Sequence, residues 1–506
     1  MHIDSTERSS QQSRPTMAAT DKLRIIETAV VTPNDLSLPP RSLPFTFFDV
    51  EWLRERPQPL VQRVFFYRLT QQHHVAVQRL ISDLKHSLSK ALTFFYPLAG
   101  HVRRTPGARS NRYELFYQPG DGVAFTVTEY DLHHVDDYLA SSDHPVPVSM
   151  LAPLVPLLPK GRAVLAVQAT VLRRGGLALG VTLHHSACDG ASYTHFLHTW
   201  AAACAGATDD MPPPPFIDRS LIADRNSLYD IYCAGIPLPS DGAEIELAGT
   251  TTSSYPDDQL LATFTLPQEL IQSIKDALAA EAARNNDAPT PLRCSSLLAA
   301  YSFIWSCYCR AKHPMDAAGD QARATTYFLF AVDHRKRLNP PVPERYMGNC
   351  LSPAIAAACQ DELAAAAGTG TAPGLFAAFT AITDALEQAL TEGSQERWDM
   401  SMERVREAAK AGMLSVAGSP RFHVYDVNFG FGRPAKVYMV SAARTGGISV
   451  AEAGDGHGGV EFGIPLPAAG MERFRRCFAD ANRDVRCLHE PVIHNFDKKR
   501  YPSNWN

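Results

Sequence analysis

Four consecutive prolines, Pro212–Pro215, set the first limit on how this chain can fold. Proline lacks the backbone donor that a helix interior or a central strand needs, so the run can be neither. Within Ala205–Phe216 (AGATDDMPPPPF) it reads as a semi-rigid, extended connector. It parts the chain into pieces of about 205 and 290 residues, each long enough to bury its own core.

Helical and strand patterns alternate on both sides of the connector. Ala76–Leu92 carries Val77, Leu80, Ile81, Leu84 and Leu88 at helical spacing. Gly175–His184 reads as a strand with Leu177, Leu179, Val181 and Leu183 on one face, and Ser192–Cys204 as a helix with Tyr193, Phe196, Leu197 and Trp200 along one stripe. Beyond the prolines, 259–266, 324–332 and 423–429 are strand-like, 268–279 is helical and 295–312 is a buried helix. Ala364–Pro373 reads as a surface loop. The mixture predicts an α/β fold in two comparable lobes. Residues 21–205 form the first and 236–506 the second, with 206–235 as the crossover linker and 1–20 as a disordered, polar extension.

Several function classes drop out early. Lys plus Arg number 48 and Asp plus Glu 53, giving a net charge of −5, whereas a general nucleic-acid binder carries a basic excess. No apolar stretch is long enough to span a membrane, and residues 1–20 lack the apolar core of a secretory signal, so the cytosol is expected. The 10 cysteines include no CxxC pair and are expected as reduced, mostly buried thiols. Gly454–Gly459 (GDGHGG) formally matches GxGxxG, but a strand pattern follows it and not a helix, so it reads as a hairpin loop and not as a dinucleotide site.

The stretch richest in chemistry is Val181–Gly190, VTLHHSACDG, where a strand runs into two histidines, a short loop, Asp-Gly and a helix. Strand alternation sends His184 and His185 to opposite sides. A histidine near its ordinary pKa can take a proton at neutral pH and return it, as a base activating a hydroxyl or amine would. Asp189 could orient such a base or hold the loop through an ion pair. Three readings stay open on the residues alone: a catalytic base, a structural histidine at a turn, or a metal site built from His184, His185 and Asp189. No HExxH and no GxSxG elbow is present, and Cys188 reads as packing in preference to a nucleophile. The basic run His334–Arg337 is framed by Asp333 and a proline turn, which suits one arginine to an interior ion pair and the others to substrate phosphates.

Taken together the strings become specific. His185-Ser-Ala-Cys-Asp189-Gly190 resembles the HxxxDG motif of the BAHD plant acyl-CoA-dependent acyltransferases, and Asn428-Phe-Gly-Phe-Gly432 with Arg433-Pro434 resembles their DFGWG(K/R)P. Leu43–Asp49 (LPFTFFD) with Trp52-Leu53, Phe95–Gly100 (FYPLAG), Tyr346–Cys350 (YMGNC, for YFGNC) and Val416–Phe422 (VAGSPRF) are similar to strings of the flavonoid and anthocyanin branch. The likeness runs from about Leu23 to about Asn482, all but the tails.

The resemblance implies two chloramphenicol-acetyltransferase-like lobes with a central solvent channel. It implies His185 as general base at the centre, activating an acceptor hydroxyl that attacks the thioester directly, without a covalent acyl-enzyme. Asp189 would turn away from substrate to hold the loop through an arginine, for which Arg335 is the candidate. Ser295, Ser419, Asn428, Phe429, Gly430, Phe431 and Gly432 are expected near the CoA channel or as structural residues. No tightly bound cofactor and no metal is expected; an acyl-CoA, with malonyl-CoA favoured, is the co-substrate. The acceptor is a sugar hydroxyl of a flavonoid, anthocyanin or phenolic glucoside. A hydroxycinnamoyl-CoA donor with a phenolic or amine acceptor is the alternative, and a non-catalytic member acting through protein contacts is the alternative of another class. The protein is expected to be a monomer. Asn428 and Phe431 depart from the family's Asp and Trp, so any ionic tether at residue 428 is expected to be weakened.

Overall fold

The computed structural model describes residues 23–487 except 36, 55–59, 109–110, 131–134, 140–143, 160–162, 173–174, 208–210, 225–226, 235, 237–254, 256–257, 285–293, 313–323, 366–371 and 392–397. The extension expected over 1–20 and most of the loop expected over 364–373 lie outside the described residues.

Two large mixed sheets and one small one organise the chain. The first sheet runs in the order β1 (Leu23–Val31), β6 (Val123–Tyr130), β8 (Leu165–Leu172), β9 (Gly176–His184), β3 (Leu60–Arg68), β14 (Lys436–Met439). The second runs β12 (Leu351–Cys359), β11 (Thr325–Asp333), β13 (Leu414–Gly418), β15 (Ile448–Glu452), β16 (Val460–Pro467), β10 (Gln259–Leu266), β7 (Val146–Pro147). A three-stranded sheet holds β2 (Arg41–Pro44), β5 (Tyr113–Tyr117) and β4 (His101–Arg104). Seven helices matter below: α1 (Phe47–Arg54), α2 (Val77–Phe94), α3 (Gly190–Ala205), α4 (Gln268–Arg284), α5 (Ser296–Lys312), α6 (Pro373–Thr391) and α7 (Ala468–Cys487).

β9 sits centrally, antiparallel to β8 on one side and to β3 on the other. Its odd-numbered residues Leu177, Leu179, Val181 and Leu183 face the core shared with α2 and α3, as alternation requires. Its other face is covered as well, which is why it carries small residues: Ala178 joins a second apolar layer, and a Cβ on Gly180 would come within 1.9 Å of the Leu154 carbonyl. A strand buried on both faces and paired on both edges is a rigid support for whatever its end carries. In the second lobe α4, α5, α6 and α7 pack apolar faces on the sheet, burying Trp305, Phe328 and Phe462.

The two halves of the chain exchange strands. β14 closes the edge of the first sheet by pairing with β3, and β7 pairs with β10 at the edge of the second. Residues 342–350 and 424–431 likewise bury Tyr346, Met347, Val427, Phe429 and Phe431 in the first lobe's core. The lobes are therefore tied by sheet hydrogen bonds and shared core as well as by the proline connector.

The strand expected over 423–429 is not one. Pro420–Phe422 and Val424–Asp426 are 3₁₀ turns hinged at His423, whose φ is 48°. The alternating burial of Val424, Tyr425, Val427 and Phe429 misled because a loop pressed into a core buries apolar residues as a strand does. The GDGHGG string joins the antiparallel pair β15 and β16, the hairpin position expected for it.

Candidate active site

β9 ends at His184 and α3 begins at Gly190, so a five-residue loop spans the gap. The loop is pinned at both ends. His184 is fully buried, with its Nδ1 bonded to the Ser186 hydroxyl at 2.7 Å. Asp189 caps α3, its Oδ1 accepting the Ser192 N–H at 3.1 Å. A cap of this kind stabilises a helix by about 1 kcal/mol.

The Asp189 carboxylate does much more than cap. Arg335 meets it with both ends of its guanidinium, Nη1 to Oδ2 at 2.8 Å and Nη2 to Oδ1 at 2.9 Å. The Cys350 N–H adds a bond to Oδ2 at 3.2 Å. With the cap, each oxygen accepts two donors, and the side chain has no exposure at all. Asp189 thus has no lone pair to offer a substrate or a metal. Burial opposes the charge of Arg335, but Asp189 outweighs it and raises the guanidinium above its ordinary value.

His185 lies at the half-buried centre of a second network. Its Nδ1 is 3.0 Å from Asn349 Oδ1. Asn349 Nδ2 in turn donates to the His185 carbonyl at 2.9 Å and to Asp49 Oδ1 at 3.0 Å. Both of those partners only accept, so the NH₂ end of the amide must face them and the oxygen must face the ring. An oxygen can only accept, so His185 Nδ1 carries the hydrogen and Nε2 is left as the unprotonated nitrogen. Asp49 is held by the Thr46 N–H and hydroxyl at 2.8 and 2.7 Å and by Arg219 Nη1 at 3.1 Å. Arg219 also donates to the Tyr346 hydroxyl at 2.6 Å. Gly348 keeps this arginine's space open: a Cβ there would fall 1.8 Å from Arg219 Nη1. Trp52 of α1 stacks on the other surface of the imidazole, ring centroids 3.7 Å apart and planes tilted 20°. Burial pulls His185 below its ordinary pKa, against upward pulls from Asp189, Asn349 and Asp49. The ring is therefore neutral at pH 7, fixed in one tautomer and one orientation.

A metal site at the loop and a Cys188 nucleophile do not suit this geometry. Asp189 is consumed by Arg335, and among the described residues no group of three or more His, Cys, Asp or Glu could hold a metal ion. Burial pushes the Cys188 thiol well above its ordinary value, the wrong direction for a nucleophile.

Comparison with known proteins decides the family. The sequence profile described as "Transferase family" matches residues 21–480. The chain belongs to this family, the BAHD acyltransferases. It is similar to phenolic glucoside malonyltransferase 1 of Arabidopsis thaliana, 33% identical over 468 residues that cover 89% of this chain and 96% of that protein. Agmatine coumaroyltransferase of the same plant is 28% identical, with 90% and 98% covered. The crystal structure of vinorine synthase superposes with a TM-score of 0.61 at 20% identity, covering 89% of this chain and 96% of that one, which extends the likeness to the two-lobed fold. This BAHD chain is thus an acyl-CoA-dependent transferase.

In this BAHD chain the remaining motif residues have visible structural work. Asn428 Oδ1 accepts the N–H groups of Gly430 and Gly432 at 2.9 and 3.1 Å, so an amide suffices to set the turn. The ionic tether is made two residues earlier, between Asp426 and Arg433 at 3.2 Å. Phe429 meets Trp200 edge-on with centroids 4.8 Å apart, and Phe431 meets Tyr67 at 5.0 Å, locking the segment onto α3 and β3. Gly430, at φ 96°, lies against Ala205, leaving little room for a side chain. Ser419 caps a 3₁₀ turn through the Arg421 N–H, and Ser295, exposed, accepts the Leu298 N–H at the start of α5. These contacts bring none of the seven to His185.

Sequence reasoning passed over Asp49, Trp52, Arg219 and Asn349. Asp49, Trp52 and Asn349 lie inside the strings LPFTFFD, WL and YMGNC, whose spacing marked them without showing their chemistry; Arg219 carried no signal. The network makes a measurable statement. Asn349→Ala removes the acceptor of Nδ1–H, and kcat should fall about tenfold, the value of one hydrogen bond of 1–1.5 kcal/mol. The acid limb of the pH–rate profile should also move, because the ring's charge is no longer stabilised by that acceptor. Unchanged kcat with an unchanged acid limb would show that the tautomer is fixed by something else.

Proposed function

We propose that the chain moves a malonyl group from malonyl-CoA to a sugar hydroxyl of a flavonoid, anthocyanin or phenolic glucoside, with both substrates bound together and His185 as the base. The observation that carries the mechanism is the fixed Nδ1–H tautomer of His185, which leaves Nε2 to take a proton. The acceptor's O–H gives its proton to Nε2 as its oxygen attacks the thioester carbon. The tetrahedral oxyanion then collapses, the C–S bond breaks, and the CoA thiolate takes the proton back from the imidazolium. Asn349, accepting from Nδ1–H, and the Trp52 face both stabilise the transient cation. Asp189 and Arg335 position the loop and touch no reacting atom. The donor and acceptor classes are carried over from the malonyltransferase relative and from the YMGNC and VAGSPRF strings.

The coumaroyltransferase relative supports a second reading, a hydroxycinnamoyl-CoA donor with a phenolic or amine acceptor. A grid separates the two: malonyl-, acetyl-, p-coumaroyl- and caffeoyl-CoA, each against several phenolic glucosides and agmatine, followed by thiol release and product mass. Malonyl-CoA with a glucoside should give the highest kcat/KM. Turnover confined to the hydroxycinnamoyl donors would replace the first reading by the second, and no thiol release from any pair would favour a non-catalytic member.

A further inference from the structure

Arg63 stands on β3, opposite Val181 of β9 on one side and Met439 of β14 on the other. Its neighbours Phe65 and Tyr67 face the core beneath α2 and α3, and strand alternation puts Arg63 on that same face. Its Cζ lies 5.6 Å from the ring centroid of Tyr193, which sits in the first turn of α3, immediately after the loop that carries His185. From the second lobe, Glu452 at the end of β15 is the charged group near enough to act on it.

This arginine is 4% exposed, yet its Nη1 has no hydrogen-bond partner, and among the described residues its side chain makes no ion pair and no hydrogen bond. Among the described residues the other buried arginines and lysine each hold a carboxylate: Arg219 has Asp49, Arg335 has Asp189 and Lys436 has Glu461. A buried cation that makes no ion pair is costly, and perturbed buried charges cluster at functional sites. Two further orphans accompany it. The Tyr193 hydroxyl is buried without a partner, and so is Glu452 Oε2, whose other oxygen accepts the Tyr425 N–H at 2.6 Å. Burial, the largest influence on each, pulls the Arg63 pKa down and pushes the Glu452 pKa up, so burial works against the charged form of both.

The geometry points to Arg63, together with the Tyr193 hydroxyl, as the subsite for a free carboxylate at the far end of the acyl group being transferred. The inference rests on the malonyl reading above and adds its receptor. A guanidinium offers two parallel N–H donors to a carboxylate, and a phenol adds a third. A malonyl group has its carboxylate one methylene from the thioester, so its receptor must lie near the base; Tyr193 stands in the first turn after the His185 loop, and Arg63 three residues along β3 from Leu60, which pairs with His184. A plain acetyl group brings no charge to this point.

The test compares malonyl-CoA with acetyl-CoA on one phenolic glucoside. In Arg63→Gln the kcat/KM for malonyl-CoA should fall about 10–10²-fold, as expected for lost charge-assisted hydrogen bonds, while that for acetyl-CoA moves less than about threefold. Tyr193→Phe removes only an unpartnered hydroxyl, so the fold is kept, and the malonyl-to-acetyl ratio should drop about fivefold, the share of one hydrogen bond. A ratio unchanged in both variants overturns the assignment and leaves the malonyl reading standing. Should Arg63→Gln fail to fold, Tyr193→Phe alone decides, by the same ratio. A wild-type enzyme that prefers acetyl- or coumaroyl-CoA removes the malonyl reading, and this inference with it.

Discussion

Replacing His185 by alanine should lower kcat/KM by about 10²–10⁴-fold, the range for loss of a positioned general base. The variant should still fold, since the ring's main contacts are the Trp52 stack and a single bond to Asn349. Circular dichroism and thermal unfolding check this independently of rate. His185→Gln keeps a polar group of similar reach without a titrating nitrogen and should be as inactive. The pH profile adds a sign. Burial pulls the His185 pKa below the ordinary histidine value, so the acid limb of the wild-type rate should lie at lower pH than a free imidazole would give. Residual activity in the variant should lack that limb. A native His185→Ala protein within about threefold of wild type would sink the base assignment, because no bond or stack lost there is worth that little to a true base.

The parts of this molecule readable from sequence are those whose signal is local. β9, α2, α3 and α5 each carry their own period, and their ends fall within a few residues of the expected ones. The Arg335–Asp189 pairing was legible only through family likeness, since two residues so far apart share no pattern. What resisted reading depends on long-range contact. β14 is four residues long and becomes a strand because β3 offers it an unpaired edge. The segment 423–429 has a strand's alternation but not its partner. Arg219 and Arg63 resemble any arginine in a list of letters. Their meaning arises when folding brings Arg219 into an ion pair with a buried carboxylate and leaves Arg63 Nη1 buried without a partner.

Arg335→Met should destabilise the protein by about 3–5 kcal/mol, the effect of stranding one member of a buried, hydrogen-bonded ion pair. Asp189 would keep its cap to Ser192 and the Cys350 N–H but lose both guanidinium bonds, and its carboxylate has no exposure through which water could compensate. The loss extends beyond the pair, because Arg335 Nη2 also donates to the carbonyls of Tyr346 and Gly348 at 3.1 and 3.3 Å. Those carbonyls belong to the segment that carries Asn349, so freeing them loosens the group that orients His185. Asp189→Asn should be milder, since Arg335 keeps its ion pair with Asp333 at 3.3 Å and an amide oxygen still caps α3. The double variant Asp189→Asn, Arg335→Met should recover part of the stability lost in Arg335→Met, since no unpaired charge is then buried. Denaturant midpoints for the three proteins measure the coupling, and kcat per folded molecule separates shape from chemistry. If Asp189 only positions the loop, the rate of the folded fraction should fall far less in Asp189→Asn than in His185→Ala. A fully native Asp189→Asn protein as slow as His185→Ala would instead make Asp189 a direct participant, against a geometry in which both of its oxygens are taken by protein donors.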